Sequence, residues 1–187
     1  MADKGEEAYQ QGRELGLQSG DIEAHSQRAA EAFQQAVDAG HLRAHNELAM
    51  MYLKGEGVSK DPQKAHQLFK AAAEDGLAIS QYQLAELLRK GEGGDRDIDE
   101  ALKWYERAAG QRHVGAMSKL GGLYAGDDEG IEPDYPRAYA WYVLAKEYGG
   151  FISNGKLEII ERRMGRRGMD KVEKLIHELA PEKRSQG

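Results

Sequence analysis

Leucine recurs in this chain at a spacing of 36 residues, at Leu48, Leu84 and Leu120, and Leu157 follows one residue late. A period of this length is typical of arrays built from small helical units. Each unit is too small to bury its own apolar face, so it is stable only when it stacks on its neighbours. The period therefore predicts an all-α fold, and it places any function on a surface that several units share.

The composition is compatible with such an array. Apolar residues make up 40% of the chain and charged residues 31%, which is more apolar than a typical disordered chain. No stretch reaches 18 consecutive apolar residues, so we expect no membrane insertion. The absence of cysteine excludes disulfide bonds and thiolate zinc sites, and it fits a reducing or an oxidising compartment equally well.

The formal net charge of −6 is unevenly distributed along the chain. Residues from Ile152 onward sum to +3, so the residues before it sum to −9. Because nucleic-acid binding needs a continuous basic face, which the acidic body lacks, we expect no nucleic-acid partner. The polar N-terminus is unlike a secretory leader and indicates a cytoplasmic protein, although a periplasmic location stays open if a leader has been removed. A monomer is expected, but the sequence does not fix the oligomeric state.

Alignment on the period divides the chain into repeats that form a single domain. The predicted segments are a degenerate first repeat over 8–43, three repeats over 44–79, 80–115 and 116–152, C-terminal capping helices over 153–180, and a tail over 181–187. One extra residue enters the last repeat before Gly130.

Residues 44–79 show the signals of a helix-turn-helix unit most clearly. Leu48 and Tyr52 fall on one face of a first helix, and Gly55 stands where a left-handed cap would end it. Asp61 followed by Pro62 predicts the start of a second helix, because Asp caps free amides and Pro suits the first turn. Each repeat is therefore predicted to contain two helices.

Two departures from this pattern lead to separate expectations. Second helices are predicted to close at Gly40, Gly76 and Gly149, whereas Arg112 occupies the equivalent position, so we expect an irregular junction there. Near the C-terminus, Asp170 is predicted to cap a last helix that ends close to Pro181. Its apolar stripe is Val172, Leu175, Ile176 and Leu179.

These positions resemble the Sel1-like repeat (SLR) family, whose units are relatives of the tetratricopeptide repeat. The resemblance covers residues 44–149 almost completely, whereas Gly12 and Gly16 stand where the family has Leu and Tyr. It implies a right-handed α/α superhelical solenoid that acts as a non-enzymatic protein-interaction module, such as a bacterial scaffold or adaptor. An immunity or inhibitor protein that neutralises an effector toxin is the alternative.

Two clusters imitate metal sites, but neither predicts one. Asp95, Asp97 and Asp99 have the spacing of a calcium loop, yet Glu100 stands where the loop needs the sharp turn that glycine makes. His41 and His45 are four residues apart, but the repeat pattern places His41 in a turn before the helix. We predict no catalytic residue, no metal ligand and no cofactor; an enzymatic or metal-binding protein is a minor alternative.

The family geometry implies that first helices line the concave side of the solenoid, where a protein or peptide segment would bind. The residues left over after the core positions are assigned form a predicted inner strip: Gln10, Glu14, Asn46, Met50, Leu53, Tyr82, Glu86, Arg89, Ser118 and Arg162. Met50 and Leu53 are equally consistent with packing between helices, so both interpretations stay open. The small side chains at Ser118 and Gly122 are expected to leave room for a ligand.

The strongest local charge feature is an arginine cluster formed by Arg162, Arg163, Arg166 and Arg167. Four cations within six residues can attract an acidic partner and accelerate its association. A solvated helix end explains the same composition. The sequence leaves both interpretations open.

Overall fold

The computed structural model describes residues 3–17, 22–128 and 130–180, without the side chain of Ile22. All regular secondary structure in these ranges is helical. The helices are α1 (Lys4–Gly16), α2 (Ile22–Asp38), α3 (Leu42–Lys54), α4 (Pro62–Glu74), α5 (Ala78–Lys90), α6 (Ile98–Gly110), α7 (Val114–Tyr124), α8 (Tyr135–Glu147) and α9 (Asn154–Leu179). The predicted all-α fold of helix-turn-helix repeats is confirmed.

The helices form two compact units, residues 1–97 and 98–187. In the first unit, each helix from α1 to α5 packs on the next one along the chain. In the second unit the same holds from α6 to α9. Within the described ranges, no helix combines the length and the apolar character that a membrane crossing requires.

Each unit buries alanine and aromatic side chains at the repeat positions that the sequence marks. In the first unit, Leu48 and Phe69 are almost fully buried between helices. In the second unit, Leu120, Tyr105 and Tyr142 are equally buried. Small residues at intervening positions let the helix backbones approach closely, which explains why alanine is so common in the core.

Helix starts use side-chain caps that recur with the repeat. Asp61 accepts a hydrogen bond from the backbone N–H of Lys64 at 3.0 Å, with Pro62 in the first turn, as predicted. Two first helices use histidine instead: Nδ1 of His41 accepts from Ala44 N at 3.3 Å, and Nδ1 of His113 accepts from Ala116 N at 3.1 Å. A histidine that caps a helix in this way must keep Nδ1 unprotonated.

The turn between the helices of a repeat depends on glycine for two reasons. Gly55 ends α3 in the predicted left-handed conformation, with φ of 74°. Gly57 also has positive φ, and a Cβ at this residue would lie 2.2 Å from the carbonyl carbon and oxygen of Ser26 on α2. Gly93 meets Pro62 on α4 in the same way, again at 2.2 Å. This turn therefore packs directly against the backbone of the preceding second helix.

The expectation of an irregular junction at Arg112 is wrong. Arg112 adopts φ of 66°, the left-handed conformation that glycine supplies at Gly76. Its N–H donates to Ala109 O at 2.8 Å, just as Gly76 N donates to Ala73 O at 3.1 Å. The junction keeps the common geometry because arginine accepts the strained backbone conformation.

The C-terminal region also differs from the prediction at one point. Asp170 does not begin a last helix, because α9 runs from Asn154 to Leu179 and its break is at Gly165, where φ is 68°. Glycine fits this position because it adopts positive φ without steric cost. Val172 is buried as predicted, whereas the other three residues of the apolar stripe are half-buried. Pro181 and the predicted tail lie outside the described residues.

Candidate functional site

In the first unit, two predicted strip residues of α3 contact α5 through residues outside the strip. The hydroxyl of Ser80 donates to Oδ1 of Asn46 at 3.3 Å, and Nε2 of Gln83 donates to Sδ of Met50 at 3.6 Å. Asn46 is only 5% exposed, so its amide joins the two helices and contributes little accessible surface. Met50 and Leu53 are half-buried and keep part of their side chains accessible.

Charged side chains form a cluster on α5. The carboxylate of Glu86 is 12% exposed and pairs with Nη2 of Arg89 at 3.1 Å and with Nζ of Lys90 at 3.4 Å. Burial raises the pKa of the neighbouring Tyr82, and the negative charge of Glu86 raises it further while Arg89 opposes the shift. This half-buried phenol beside a paired carboxylate offers directed polar contacts on α5.

The strip continues on α1, where Gln10 and Glu14 are exposed. Gln10 donates to Glu6 at 2.6 Å through Nε2, whereas the structure shows no hydrogen bond or ion pair for the side chain of Glu14 within its described part. A cleft between α1 and α3, which we call the α1–α3 cleft, has Gly12, Arg13 and Gly16 of α1 in its lining, whereas Gln10 and Glu14 are not part of it.

The α1–α3 cleft has a volume of about 310 Å³, and Gly12 and Gly16 of α1 are part of its lining. A Cβ at Gly12 would lie 2.7 Å from the ring of Phe33, and beside Gly16 the space is open. Leu17, which is 82% exposed, and Met50 are apolar residues of its lining. Charged residues also line the cleft: Arg13, Glu47, Lys54 and Glu56. The sequence showed the two glycines as departures from the pattern, but it did not show that Phe33 packs at Gly12 while the space beside Gly16 is open.

In the second unit, the space beside Gly122 is already filled, so the expectation of room for a ligand there is wrong. A Cβ at Gly122 would lie 2.7 Å from Oδ2 of Asp127 and 3.4 Å from the hydroxyl of Tyr142. Nζ of Lys156 holds the Asp127 carboxylate at 3.2 Å. Asp127 therefore covers α7 beside Gly122, while Ser118 on that helix is half-buried.

All four residues of the arginine cluster are exposed on either side of the break at Gly165. Arg162 pairs loosely with Glu158 at 3.9 Å, and Arg163 donates to the hydroxyl of Tyr135 at 3.4 Å. Arg166 and Arg167 form no ion pair with any residue that the structure describes. Two cations on α9 are therefore available to a partner.

The histidine pair that imitates a metal site has other roles in the fold. Besides capping α3 through Nδ1, His41 places Nε2 2.9 Å from the carboxylate of Glu6 and stacks on the ring of Tyr9. Nδ1 of His45 lies 3.2 Å from the carbonyl oxygen of His41. Both nitrogens of His41 are thus occupied by protein groups, which leaves none for a metal.

The acidic residues that imitate a calcium loop are divided between a turn and a helix. Asp95 and Asp97 precede α6, which begins at Ile98, and Asp99 lies in its first turn. No group of three or more metal-ligating side chains comes together anywhere in the described ranges.

Comparison with known protein families identifies the repeats. The family model of the Sel1 repeat matches residues 42–77, 78–113 and 114–147. These segments begin two residues before the units that the leucine spacing suggests, so each match starts with a first helix. No match was found among the curated proteins.

Solved structures resemble this chain over most of its length. A Sel1 repeat protein from Oxalobacter formigenes is 27% identical over 78% of this chain and 57% of its own, with a TM-score of 0.67. The protein c5321, a protective antigen present in uropathogenic Escherichia coli strains and described as having an SLR fold, is 26% identical over 94% of this chain and 38% of its own, with a TM-score of 0.76. The chain thus spans 57% and 38% of the lengths of these two proteins.

Proposed function

Because three Sel1 repeat matches cover residues 42–147, the chain belongs to the Sel1 repeat family, and we propose that it binds a protein or peptide segment along the inner strip of its first unit. Repeats of this family generally mediate protein–protein interaction. The role we assign is that of a non-enzymatic bacterial scaffold or adaptor, with no catalytic group involved.

The observation that carries this proposal is the α1–α3 cleft. Leu17 and Met50 supply accessible apolar surface, and the surrounding charges of Arg13 and Glu47 can orient a bound chain. Interfaces commonly combine a few apolar anchors with a polar rim in this way, because the anchors supply affinity and the rim fixes the register. On α5, Tyr82 and Arg89 would extend the contact with polar groups.

A binding measurement with the partner tests the proposal. The partner is first identified by affinity purification and mass spectrometry from the native cell, and its affinity is then measured for the wild type and two variants. Leu17→Ser and the double variant Met50→Asp/Tyr82→Ala should each weaken binding at least about tenfold, because they remove apolar anchors from the contact. Circular dichroism establishes that the helices remain.

Phe151→Asp is the matched control, because it places the same charge on an exposed apolar residue that belongs to neither the inner strip nor the arginine cluster. It should leave the affinity unchanged. Full binding by both strip variants would overturn the proposal, and so would an equal loss in the control.

We assign the arginine cluster a supporting role, in which it speeds the approach of an acidic part of the partner. Arg166→Glu/Arg167→Glu should lower the association rate and reduce its dependence on salt, since exposed charges act over about 10 Å at 0.1 M ionic strength. Lys60→Glu/Lys70→Glu makes the same charge change in the first unit and is the control. An association rate that responds equally to both changes would show that only net charge matters.

A further inference from the structure

A second surface in the first unit lies between the second helices α2 and α4, with α3 as its floor. We call it the α2–α4 groove. Its larger part has a volume of about 930 Å³, between one face of α2 and the turn that follows α3. A smaller recess of about 340 Å³ continues it toward α4, and Gln34 and Tyr52 line both parts. The groove shares none of the predicted inner-strip residues, although Ser26 and Glu56 line both the groove and the α1–α3 cleft.

The floor of the α2–α4 groove is apolar. Ala30 and Leu48 lie at its base, and the half-buried side chains of Tyr52 and Val58 present accessible apolar surface. This surface is sufficient to cover one aliphatic side chain of a bound segment, and such burial is favourable.

The rim of the groove is acidic. Glu23 and Glu31 project from α2, are exposed, and form no ion pair with any residue in the described ranges. Glu56 adds a third carboxylate, which pairs with Lys54 at 3.6 Å. In the recess, the ammonium of Lys64 lies 5.0 Å from the ring centre of Tyr52, at the α4 side of the groove. The α2 wall therefore favours a cationic occupant.

The first unit as a whole is negatively charged, like the rim of the groove. Residues 1–97 carry a formal charge of −6, which is the entire net charge of the chain. A field of this kind attracts a basic partner before contact, and the free carboxylates of the groove give that partner specific places to bind.

The spacing of the carboxylates defines what would fit. Glu23 and Glu31 are eight residues apart on one helix, a distance of about 12 Å along its axis at 1.5 Å per residue. In an extended peptide, residues i, i+2 and i+4 face the same side, and the outer two are about 13 Å apart. A cation, an apolar residue and a second cation at these positions would match Glu23, the apolar floor and Glu31 in turn.

We propose that the α2–α4 groove binds a basic extended segment of a protein partner, with the pattern cation-x-apolar-x-cation. The two cations pair with Glu23 and Glu31, and the apolar side chain covers Tyr52 and Val58. This contact is independent of the inner strip and gives the chain a second binding surface.

The experiment uses the full chain labelled with ¹⁵N and the capped peptide Lys-Ser-Leu-Ser-Lys as the probe. Backbone amide shifts are followed during titration at low ionic strength. The expected result is saturable binding, with the largest shifts at residues of the groove such as Gln27, Tyr52 and Val58. The peptides Glu-Ser-Leu-Ser-Glu, with reversed charge, and Lys-Leu-Ser-Ser-Lys, with leucine on the opposite side, should bind much more weakly.

Glu23→Gln/Glu31→Gln should weaken binding of the probe about fivefold, because two exposed charge pairs are lost. Glu7→Gln/Glu74→Gln removes two exposed carboxylates of the same unit outside the groove and should leave the affinity unchanged. Both are surface changes, so the fold is expected to persist, and the amide spectrum reports it directly.

Several outcomes would overturn the proposal. These are an absence of saturation at millimolar probe, shifts centred on the α1–α3 cleft, or equal binding of the reversed-charge peptide. A concentration-dependent dimer that both Glu23→Gln/Glu31→Gln and Arg166→Glu/Arg167→Glu dissociate would assign the groove to a second copy of the chain instead. The inner strip is tested with different variants, so failure of this proposal and failure of the proposed function are distinguishable.

Discussion

Glycine at position 57 is required by two independent features of its surroundings. Its φ of 70° disfavours any residue with a side chain, and a Cβ would overlap the backbone of Ser26. Because the obstacle is backbone on a packed helix, a rotamer change cannot relieve it. Gly57 is thus a packing contact between consecutive repeats as well as a turn residue.

We therefore expect Gly57→Ala to lower the free energy of unfolding by at least about 2 kcal/mol, of which the left-handed conformation alone accounts for about 1 kcal/mol. Urea denaturation followed by circular dichroism measures the change. Gly94→Ala is the control, because Gly94 lacks positive φ and a Cβ there meets nothing within 4 Å. Equal stability of the two variants would contradict the packing role of Gly57.

The cap at His113 makes part of the stability depend on pH. Burial lowers the pKa of His113 below its usual value of 6.5, and the neutral ring is the form that caps α7. At pH values between the lowered pKa and 6.5, His113 binds more protons in the unfolded chain than in the folded one. The free energy of unfolding must then fall as the pH falls through this window.

His113→Asn should reduce that pH dependence, because asparagine caps a helix without titrating. The measurement compares urea denaturation of the wild type and the variant at pH 7.5 and pH 5.0. The other histidines contribute equally to both proteins, so the difference isolates His113. The same loss of stability on acidification in both proteins would show that the cap is not the titrating group.

At the scale of the element, α1 differs from the other first helices because glycine replaces two larger residues. Gly12 allows Phe33 to pack against α1, whereas Gly16 at the end of the helix leaves open space. A side chain at position 12 would overlap Phe33, whereas a side chain at position 16 would meet no neighbour, although both glycines depart from the same repeat pattern.

Gly12→Ala should lower the free energy of unfolding by about 1–3 kcal/mol, because its Cβ would overlap the buried ring of Phe33. Gly16→Ala should raise it by about 0.5 kcal/mol, since alanine favours the helix and meets no neighbour. Thermal and urea denaturation of the pair provide the test. A stabilising Gly12→Ala would mean that Phe33 does not pack on α1 as described.

The sequence alone predicts most helices and turns, but it does not predict the Arg112 junction or the Gly165 break. Capping residues such as Asp61 and the left-handed glycines act on their immediate neighbours, so helix bounds and turns followed from local signals. The junction at Arg112 was mispredicted because a strained conformation is tolerated there, which residue type alone does not reveal. The break at Gly165 was missed because glycine inside a long polar helix carries no signal of its own.

The candidate surfaces were less accessible to prediction for a physical reason. The inner strip followed from repeat register, but burial of Asn46 and Glu86 depends on contacts between α3 and α5. The open part of the α1–α3 cleft lies beside Gly16, where a side chain is missing, and the space beside Gly122 is closed by a loop residue, Asp127. Such features depend on several elements at once and need coordinates.

At the scale of the whole molecule, the surfaces that we propose for binding are concentrated in the first unit. The first unit carries the entire net negative charge, the α1–α3 cleft and the α2–α4 groove. The second unit is neutral in sum and carries the exposed arginines of α9. Binding is therefore expected to depend most strongly on residues of the first unit, with α9 affecting mainly its rate.

The proposed function requires that the protein partner lies along the inner strip. Amide hydrogen exchange of the full chain, measured by mass spectrometry with and without the partner purified from the native cell, reports which helices the partner covers. We expect slower exchange at the end of α1 and on the accessible turns of α3 and α5 when the partner is bound. Protection confined to α9, or unchanged exchange in α1, α3 and α5 at saturating partner, would overturn the proposal.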